Sequence, residues 1–240
     1  MSAPKHPAPF ADVFLDFVRG HMNEHAPRAL ALLDPMAGTC KLHVLQGHHE
    51  TELRHDGYDV YTVCSELEPE WAQRSPTEWG ETHTGLHAFH ALSAGPMRPL
   101  GYQRWIVTSP VWGNRMADHH DAKDDSERLT YRHRLGRPLS QGSSCSLAWG
   151  EDYQAWHRAF LDRAFESSFA GERMIIEIGD HLRTLNGRTL RAQVTAWWIK
   201  AGIAAGWHLD EAKRLPVGRL RNGANYDVRI PYIHALVFVR

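Results

Sequence analysis

The sequence predicts an α/β fold in which a mostly parallel sheet carries helices on both faces. Short, nearly continuous apolar runs, typical of strands covered on both faces, alternate with segments whose apolar residues recur at helical spacing. The chain has 240 residues, of which 42% are hydrophobic, and this is enough for one domain with its own core. Because no repeat or linker interrupts the pattern, we expect residues 1–240 to form a single domain.

Seven segments have the apolar and β-branched composition of strands. They are residues 29–33, 60–64, 84–88, 105–107, 174–178, 207–215 and 235–239. Helical spacing is clearest just after Phe10, and two further helices are predicted over residues 151–169 and 190–205. The polar stretch over residues 113–150 has neither period and is too long for an ordinary connection. We therefore interpret it as an inserted substrate-recognition loop.

Composition limits the partners, the metal sites and the cellular compartment that we expect for this chain. Lys and Arg number 27 against 28 Asp and Glu, a net charge of −1, so a nucleic-acid partner would need a local basic face. Cys40, Cys64 and Cys145 form no CxxC pair, so a structural zinc site is not expected. Sparse cysteines, with no signal-peptide core and no run of about 18 apolar residues, predict a cytoplasmic protein without a membrane span.

The first loop with candidate ligand-binding residues follows the predicted strand 29–33. Asp34 opens it, Gly38 allows a tight turn and close approach of a ligand to the backbone, and Thr39 is suited to cap a helix. Glu66 ends the next strand, where an acid can accept hydrogen bonds from ribose hydroxyls. An ordinary strand-to-helix turn with a surface glutamate is the alternative. Because ligands of open α/β sheets bind beyond the carboxyl ends of the strands, the two features together favour a binding site.

The second loop, residues 108–115, follows the predicted strand 105–107. The Ser109 hydroxyl and the Pro110 carbonyl can accept hydrogen bonds from an exocyclic amine. Trp112 can stack on a flat ring. This combination is suited to a planar polar substrate, and the alternative is a rigid loop with a core tryptophan.

Four ordered segments resemble the DNA amino-methyltransferases, which methylate cytosine N4 or adenine N6. They are residues 6–10, 34–40, 65–71 and 108–115. Residues 114–138 and 179–183 also resemble a small phage- and actinobacterium-associated branch of this family. The chain departs from the usual pattern in having Cys40 in place of a glycine, Val111 in place of a proline, and Trp112 in place of Tyr or Phe. The usual acid at the third strand end is not evident, and His87 occupies that region.

This resemblance implies a Rossmann-like, seven-stranded sheet, mostly parallel with an antiparallel final strand, and S-adenosylmethionine as cofactor. It implies catalytic roles for Ser109, Pro110 and Trp112. The implied cofactor contacts are Pro9, Phe10, Asp34, Pro35, Met36, Ala37, Gly38, Thr39, Glu66 and Leu67. A Ser-Pro start to the second loop is commoner in this family for cytosine N4, so that amine is favoured, and adenine N6 and an RNA substrate stay open. Restriction–modification is implied by the resemblance alone.

Double-stranded DNA is the expected partner, because cations bind phosphates and Asn and Arg side chains read base edges. The expected DNA contacts are Asn114, Arg115, Arg128, Arg132, Arg134, Arg137, Arg219, Arg221 and Asn222. The alternative for the long insertion is a solvated charged loop, since acidic residues recur between Asp118 and Glu127.

Two other classes of function stay open. Residues 118–121 (Asp118, His119, His120 and Asp121), with His133 and His181, offer ligands for a metal-dependent nuclease or hydrolase. The changes at Cys40 and Val111 also fit a catalytically inactive, nucleic-acid-binding relative. Cytosine C5 chemistry is disfavoured, because it needs a cysteine nucleophile and none of the three cysteines sits in a suitable loop.

Overall fold

The computed structural model describes residues 10–48, 59–73, 80–93, 101–113, 134–186, 188–218 and 230–240. The strands are β1 (Ala29–Asp34), β2 (Asp59–Glu66), β3 (Glu81–Thr84), β4 (Gln103–Thr108), β5 (Arg173–Ile178), β6 (His181–Leu185), β7 (Arg188–Ala192), β8 (His208–Pro216) and β9 (Tyr232–Val239). The α-helices are α1 (Asp12–His25), α2 (His43–His48), α3 (Pro69–Ala72), α4 (Ala88–Ser93), α5 (Glu151–Ser167) and α6 (Val194–Ala204). None of the helices in these ranges is long and apolar enough to cross a bilayer.

Seven strands form one sheet in the order β3-β2-β1-β4-β5-β9-β8. Strands β1 to β5 pair in parallel, whereas β9 runs antiparallel to both β5 and β8. This confirms the predicted Rossmann-like sheet, mostly parallel with an antiparallel final strand. The strand order reverses between β1 and β4, and in such sheets a crevice opens beyond the carboxyl ends of the strands at that point.

Apolar side chains cover both faces of the sheet. Leu32 and Val107 point into a core shared with α1, whereas Leu33 and Ile106 point into a second core shared with α5 and α6. Because alternate residues of each strand enter different cores, both positions must be apolar, which explains the continuous runs in the sequence. The helices therefore lie on both faces, as predicted.

Two predicted elements are placed wrongly. The third strand is Glu81–Thr84 rather than residues 84–88, and Ala88 begins a helix. It lies at the sheet edge with a polar, partly exposed sequence, so it has no apolar run to reveal it. The helix predicted from residue 190 begins at Val194, because residues 188–192 form the second strand of a hairpin. That strand is almost fully exposed and carries no core pattern.

Candidate functional site

A cleft opens at the carboxyl ends of β1, β2 and β4, enclosing about 790 Å³ with its open mouth included. The predicted site residues that line it are Phe10, Asp34, Pro35, Met36, Ala37, Gly38, Thr39, Glu66, Leu67 and Ser109. Pro9 lies outside the described residues. The fold thus brings the two predicted loops to one cavity.

Asp34 fixes the start of the first loop. Its Oδ1 accepts the Met36 N–H over 3.1 Å and the Thr108 hydroxyl over 2.8 Å, so the ends of β1 and β4 are joined. The side chain is buried, and burial raises the pKa of the Asp34 carboxyl to about 7, although both hydrogen bonds act in the opposite direction. Asp34 therefore shapes the loop through an Asx-type turn.

Glu66 connects this loop to the end of β2. Its Oε2 accepts the Gly38 N–H over 2.6 Å, and its Oε1 accepts the Glu68 N–H over 2.8 Å. Burial raises the pKa of Glu66 to about 8, against the effect of these two backbone hydrogen bonds. A carboxylate has about four lone-pair sites, so Glu66 keeps acceptor capacity for hydroxyl groups of a ligand in the cleft.

Cys40 occupies a backbone conformation that usually belongs to glycine. Its φ is 57°, close to the 54° of Gly38, and its side chain is fully buried. The left-handed region costs an ordinary residue about 1–2 kcal/mol. The loop therefore holds Cys40 in a conformation that glycine adopts more readily.

Cys40 also belongs to a buried group with His43 and Cys64, whose ligand atoms lie within 4.8 Å of one another. The Thr62 hydroxyl donates its proton to Gln46 Oε1, so His43 Nδ1–H must donate to Thr62 Oγ1 over 2.8 Å. His43 Nε2 then accepts the Thr82 hydroxyl over 2.9 Å, and burial lowers the pKa of His43 to about 4. Both ring nitrogens are satisfied without a metal, so this is a hydrogen-bonded core histidine beside two thiols.

The second loop is held from below by two helices. The Val111 carbonyl accepts the Tyr153 hydroxyl over 2.7 Å, and that hydroxyl accepts Trp198 Nε1–H over 3.0 Å. Gly113, at φ 68°, accepts the Trp149 N–H over 3.0 Å. Ser109 faces the cleft at the front of this braced loop.

Trp112 lies differently from what a stacking role in the open cleft would suggest. Trp112 is half-buried, packs against both apolar cores, and is not among the residues that line the cleft. Pro110, the other predicted catalytic residue of this loop besides Ser109, is buried. A Cβ added at Gly179 would lie 2.8 Å from Trp112 Cζ3, so the indole rests directly on that backbone. The geometry favours the core-tryptophan alternative for Trp112, and its stacking role stays a prediction.

The end of the long insertion forms a wall of the cleft that the sequence did not reveal. Arg137 makes a bidentate pair with Glu70, at 2.8 and 2.6 Å, and its Nη2 lies 2.7 Å from Glu68 Oε2. The buried Glu68 carboxylate also accepts the N–H and the hydroxyl of Ser140, at 2.7 and 3.0 Å. These contacts, here called the Glu68–Arg137 latch, place residues 142–145 at the cleft.

The latch changes the interpretation of one predicted DNA contact. Arg137 was expected to meet phosphate, but two carboxylates already engage its guanidinium, which raises its pKa further. Arg134 is half-buried. Residues 118–121 and His133, the candidate ligands of the metal-dependent alternative, lie outside the described residues. The remaining expected DNA contacts also lie outside them: Asn114, Arg115, Arg128, Arg132, Arg219, Arg221 and Asn222.

His87 occupies the region where an acid was expected after the third strand. Its Nδ1 accepts the Phe89 N–H over 3.3 Å, so its Nε2–H donates to the Gly142 carbonyl over 3.1 Å. This hydrogen bond ties the loop after β3 to the insertion. Trp156 is half-buried and lines the cleft, with its ring centroid 5.9 Å from that of His87 and the two ring planes tilted by 58°. This side of the cleft is therefore partly aromatic.

The start of the described chain covers another side of the cleft. Lys41 Nζ donates to the Phe10 carbonyl over 2.8 Å and to Asp12 Oδ1 over 2.6 Å. The buried Phe10 ring stacks on Phe14 with centroids 5.4 Å apart. Lys41 thus fastens this segment to the first loop, a role that no pattern in the sequence indicated.

No known sequence family matches the chain, and no curated protein matches it in sequence. Among solved structures, a protein described as a class I S-adenosylmethionine-dependent methyltransferase from Listeria monocytogenes aligns with a TM-score of 0.53 and 11% identity, over 97% of this chain and 60% of its own. TrmN from Thermus thermophilus aligns with a TM-score of 0.50 and 12% identity, over 93% of this chain and 47% of its own.

At this level of identity the likeness defines the fold. The chain has the Rossmann-like fold of the S-adenosylmethionine-dependent methyltransferases. It spans 60% and 47% of the lengths of these two relatives.

Proposed function

We propose that this protein transfers a methyl group from S-adenosylmethionine to an exocyclic amine of a DNA base, with cytosine N4 the favoured acceptor. The observation that carries the proposal is that Glu66 and Ser109, from different strand ends, line one cleft at the switch point of the sheet. Fold alone would not support an activity, since the same sheet serves many chemistries.

The cofactor half of the cleft has groups of the required chemistry. Glu66 can accept hydrogen bonds from both ribose hydroxyls, because neither of its oxygens is saturated by its single backbone N–H. The backbone of residues 36–39 curves along the cleft, and Gly38 keeps that approach free of a side chain. Leu67, His87 and Trp156 line the cleft and offer apolar and aromatic surface for the adenine ring. These residues would hold the cofactor.

The acceptor half is the loop that begins at Ser109. Bound S-adenosylmethionine supplies a methyl group that is already electrophilic, so the protein mainly has to place the acceptor amine in line with it. The Ser109 hydroxyl and the Pro110 carbonyl would accept the two N–H bonds of that amine and draw its lone pair out of the ring. As the new N–C bond forms and the S–C bond breaks, the amine carries positive charge, and it then loses a proton to solvent.

Cytosine N4 and DNA follow from the resemblance of the Ser-Pro loop rather than from any contact in the structure. A base in a duplex would have to leave the stack to reach Ser109. Adenine N6 and RNA acceptors would use the same cleft, and the product identifies the base directly.

The test is transfer of a labelled methyl group from S-adenosylmethionine to unmethylated duplex DNA, followed by mass spectrometry of the nucleosides. We expect N4-methylcytosine from the unmodified protein, a loss of at least tenfold with Ser109→Ala, and normal turnover with Ser93→Ala. Ser93 is exposed on α4 and donates to the Phe89 carbonyl, so its variant controls for the substitution itself. N6-methyladenine would correct the base, and absence of any methylated nucleoside despite cofactor binding would overturn DNA as the substrate.

A further inference from the structure

Strands β6 and β7 form a hairpin that stands outside the seven-stranded sheet. They pair antiparallel, from His181↔Ala192 to Leu185↔Arg188, as a separate two-stranded sheet. The hairpin follows β5 after two residues, so it leaves the main sheet at the same carboxyl edge where the cleft opens. Neither the predicted function nor the described cleft uses it.

The root of the hairpin is fixed to the site. Gly179 lies under the Trp112 indole of the second loop, and the buried Asp180 follows directly. Asp180 accepts the Thr195 N–H through Oδ1 and Arg191 Nε–H through Oδ2, each over 2.8 Å. Arg191 also donates to the Tyr232 hydroxyl over 2.9 Å. These contacts set the direction in which the hairpin leaves the acceptor loop.

The second strand of the hairpin, β7, is basic and exposed. Residues 181–209 contain no Asp or Glu, although the whole chain has a net charge of −1. The first four residues of β7 are exposed, and the Arg188 side chain makes no hydrogen bond or ion pair with another residue that the structure describes. Leu190, on the same side of the strand as Arg188 by alternation, is 43% exposed. Arg188 and this exposed apolar side chain thus lie towards the tip of a hairpin whose root contacts the acceptor loop.

We infer that the β6–β7 hairpin is a docking element for duplex DNA, in which Arg188, near the tip of the hairpin, contacts a backbone phosphate. The inference rests on the proposed function, since it places the polyanion at the same edge as Ser109. A two-stranded ribbon fits the major groove, and Arg is the side chain whose planar fork matches a phosphate. Arg191 serves the root instead, because Asp180 and Tyr232 occupy its guanidinium.

The test measures duplex-DNA affinity of the full chain as a function of salt for Arg188→Gln, Arg188→Lys and Arg163→Gln. Arg163 lies on α5, is exposed, and pairs with Glu166 over 3.4 Å, so its variant removes one positive charge elsewhere. One lost phosphate contact lowers the slope of log affinity against log salt by about 0.9 and the affinity about fivefold at 0.15 M salt. We expect this change for Arg188→Gln, little change for Arg163→Gln, and recovery of most of the slope with Arg188→Lys.

Equal slopes for Arg188→Gln and Arg163→Gln would overturn the inference, as would an Arg188 effect seen with duplex RNA but not with duplex DNA. The methyl-transfer assay separates this failure from that of the proposed function. Methylated DNA together with equal slopes would rule out the docking role of the hairpin and leave the proposed methyl transfer standing. An Arg188-dependent slope without any methylated product would rule out the proposed methyl transfer to DNA and still support the docking of DNA on the hairpin.

Discussion

The backbone N–H of Gly38 donates to Glu66 Oε2 over 2.6 Å, so the loop after β1 is fastened to the last residue of β2. The other oxygen of the same carboxyl accepts the Glu68 N–H. One acidic side chain therefore organises two strand ends before any ligand is present. Its two roles, in loop geometry and in ligand recognition, can be separated by substitution.

Glu66→Ala should weaken binding of S-adenosylmethionine by about 10- to 100-fold, the effect of losing two hydrogen bonds worth about 0.5–1.5 kcal/mol each. Titration calorimetry measures this directly. Glu166→Gln, at an exposed position on α5, should leave the affinity unchanged. Unchanged affinity in Glu66→Ala would show that the cofactor's ribose lies elsewhere.

Glu66 should also make the free energy of unfolding depend on pH. Burial raises its pKa in the folded protein to about 8, far above the usual value of 4.5, so between these values folding takes up a proton. Stability therefore falls as pH rises through about 8. Buried histidines with lowered pKa values affect stability only below pH 6.5, so the measurement is made above that pH. Between pH 6.5 and 8.5, Glu66→Gln should remove about 1–2 kcal/mol of this loss in urea unfolding. An unaltered pH profile would contradict the raised pKa.

At Cys40 we expect a glycine variant to be more stable than an alanine variant, the reverse of the usual order. Alanine normally stabilises a chain relative to glycine, but at φ 57° the Cβ is unfavourable. Cys40→Gly should therefore be more stable than Cys40→Ala by about 0.5–1 kcal/mol, after allowing for the greater freedom of glycine in the unfolded chain. The same pair at the exposed helical position Lys200 should show the ordinary order. Greater stability of Cys40→Ala would show that the loop does not hold this conformation in solution.

The elements that sequence reasoning located correctly are those that obey a core pattern. Leu32 and Leu33 enter opposite cores, so β1 shows a continuous apolar run, and the loop after it is found because it follows that run. Strands β3 and β7 have no such pattern, since β3 is polar and partly exposed and β7 is almost fully exposed. Arg137 shows a different limit: a guanidinium looks the same in sequence whether its partner is a phosphate or, as here, Glu68 and Glu70.

The Glu68–Arg137 latch should hold the insertion against the cleft. Arg137→Ala leaves the buried Glu68 carboxylate with its Ser140 contacts alone. We expect a loss of about 1–2 kcal/mol, below the roughly 3–5 kcal/mol for a fully buried pair because Arg137 is partly exposed. Limited proteolysis should then cut faster within residues 134–150. Arg163→Ala, which removes only an exposed pair, should change neither quantity.

Tyr153 should position the acceptor loop without touching the substrate. Its hydroxyl joins the Val111 carbonyl to Trp198 Nε1, so Tyr153→Phe leaves a buried N–H and a carbonyl without this partner. The expected cost in stability is about 1–3 kcal/mol. If Ser109 acts in transfer, looser support of its loop should lower kcat severalfold while the affinity for S-adenosylmethionine stays constant, because Glu66 and Gly38 lie on other strand ends.

Tyr61→Phe is the matched control: it also removes a hydroxyl, one that donates to Glu81 away from the acceptor loop. A parallel fall in kcat in both variants would mean that loss of stability alone explains the effect, and a fall confined to Tyr153→Phe would tie turnover to the position of the Ser109 loop.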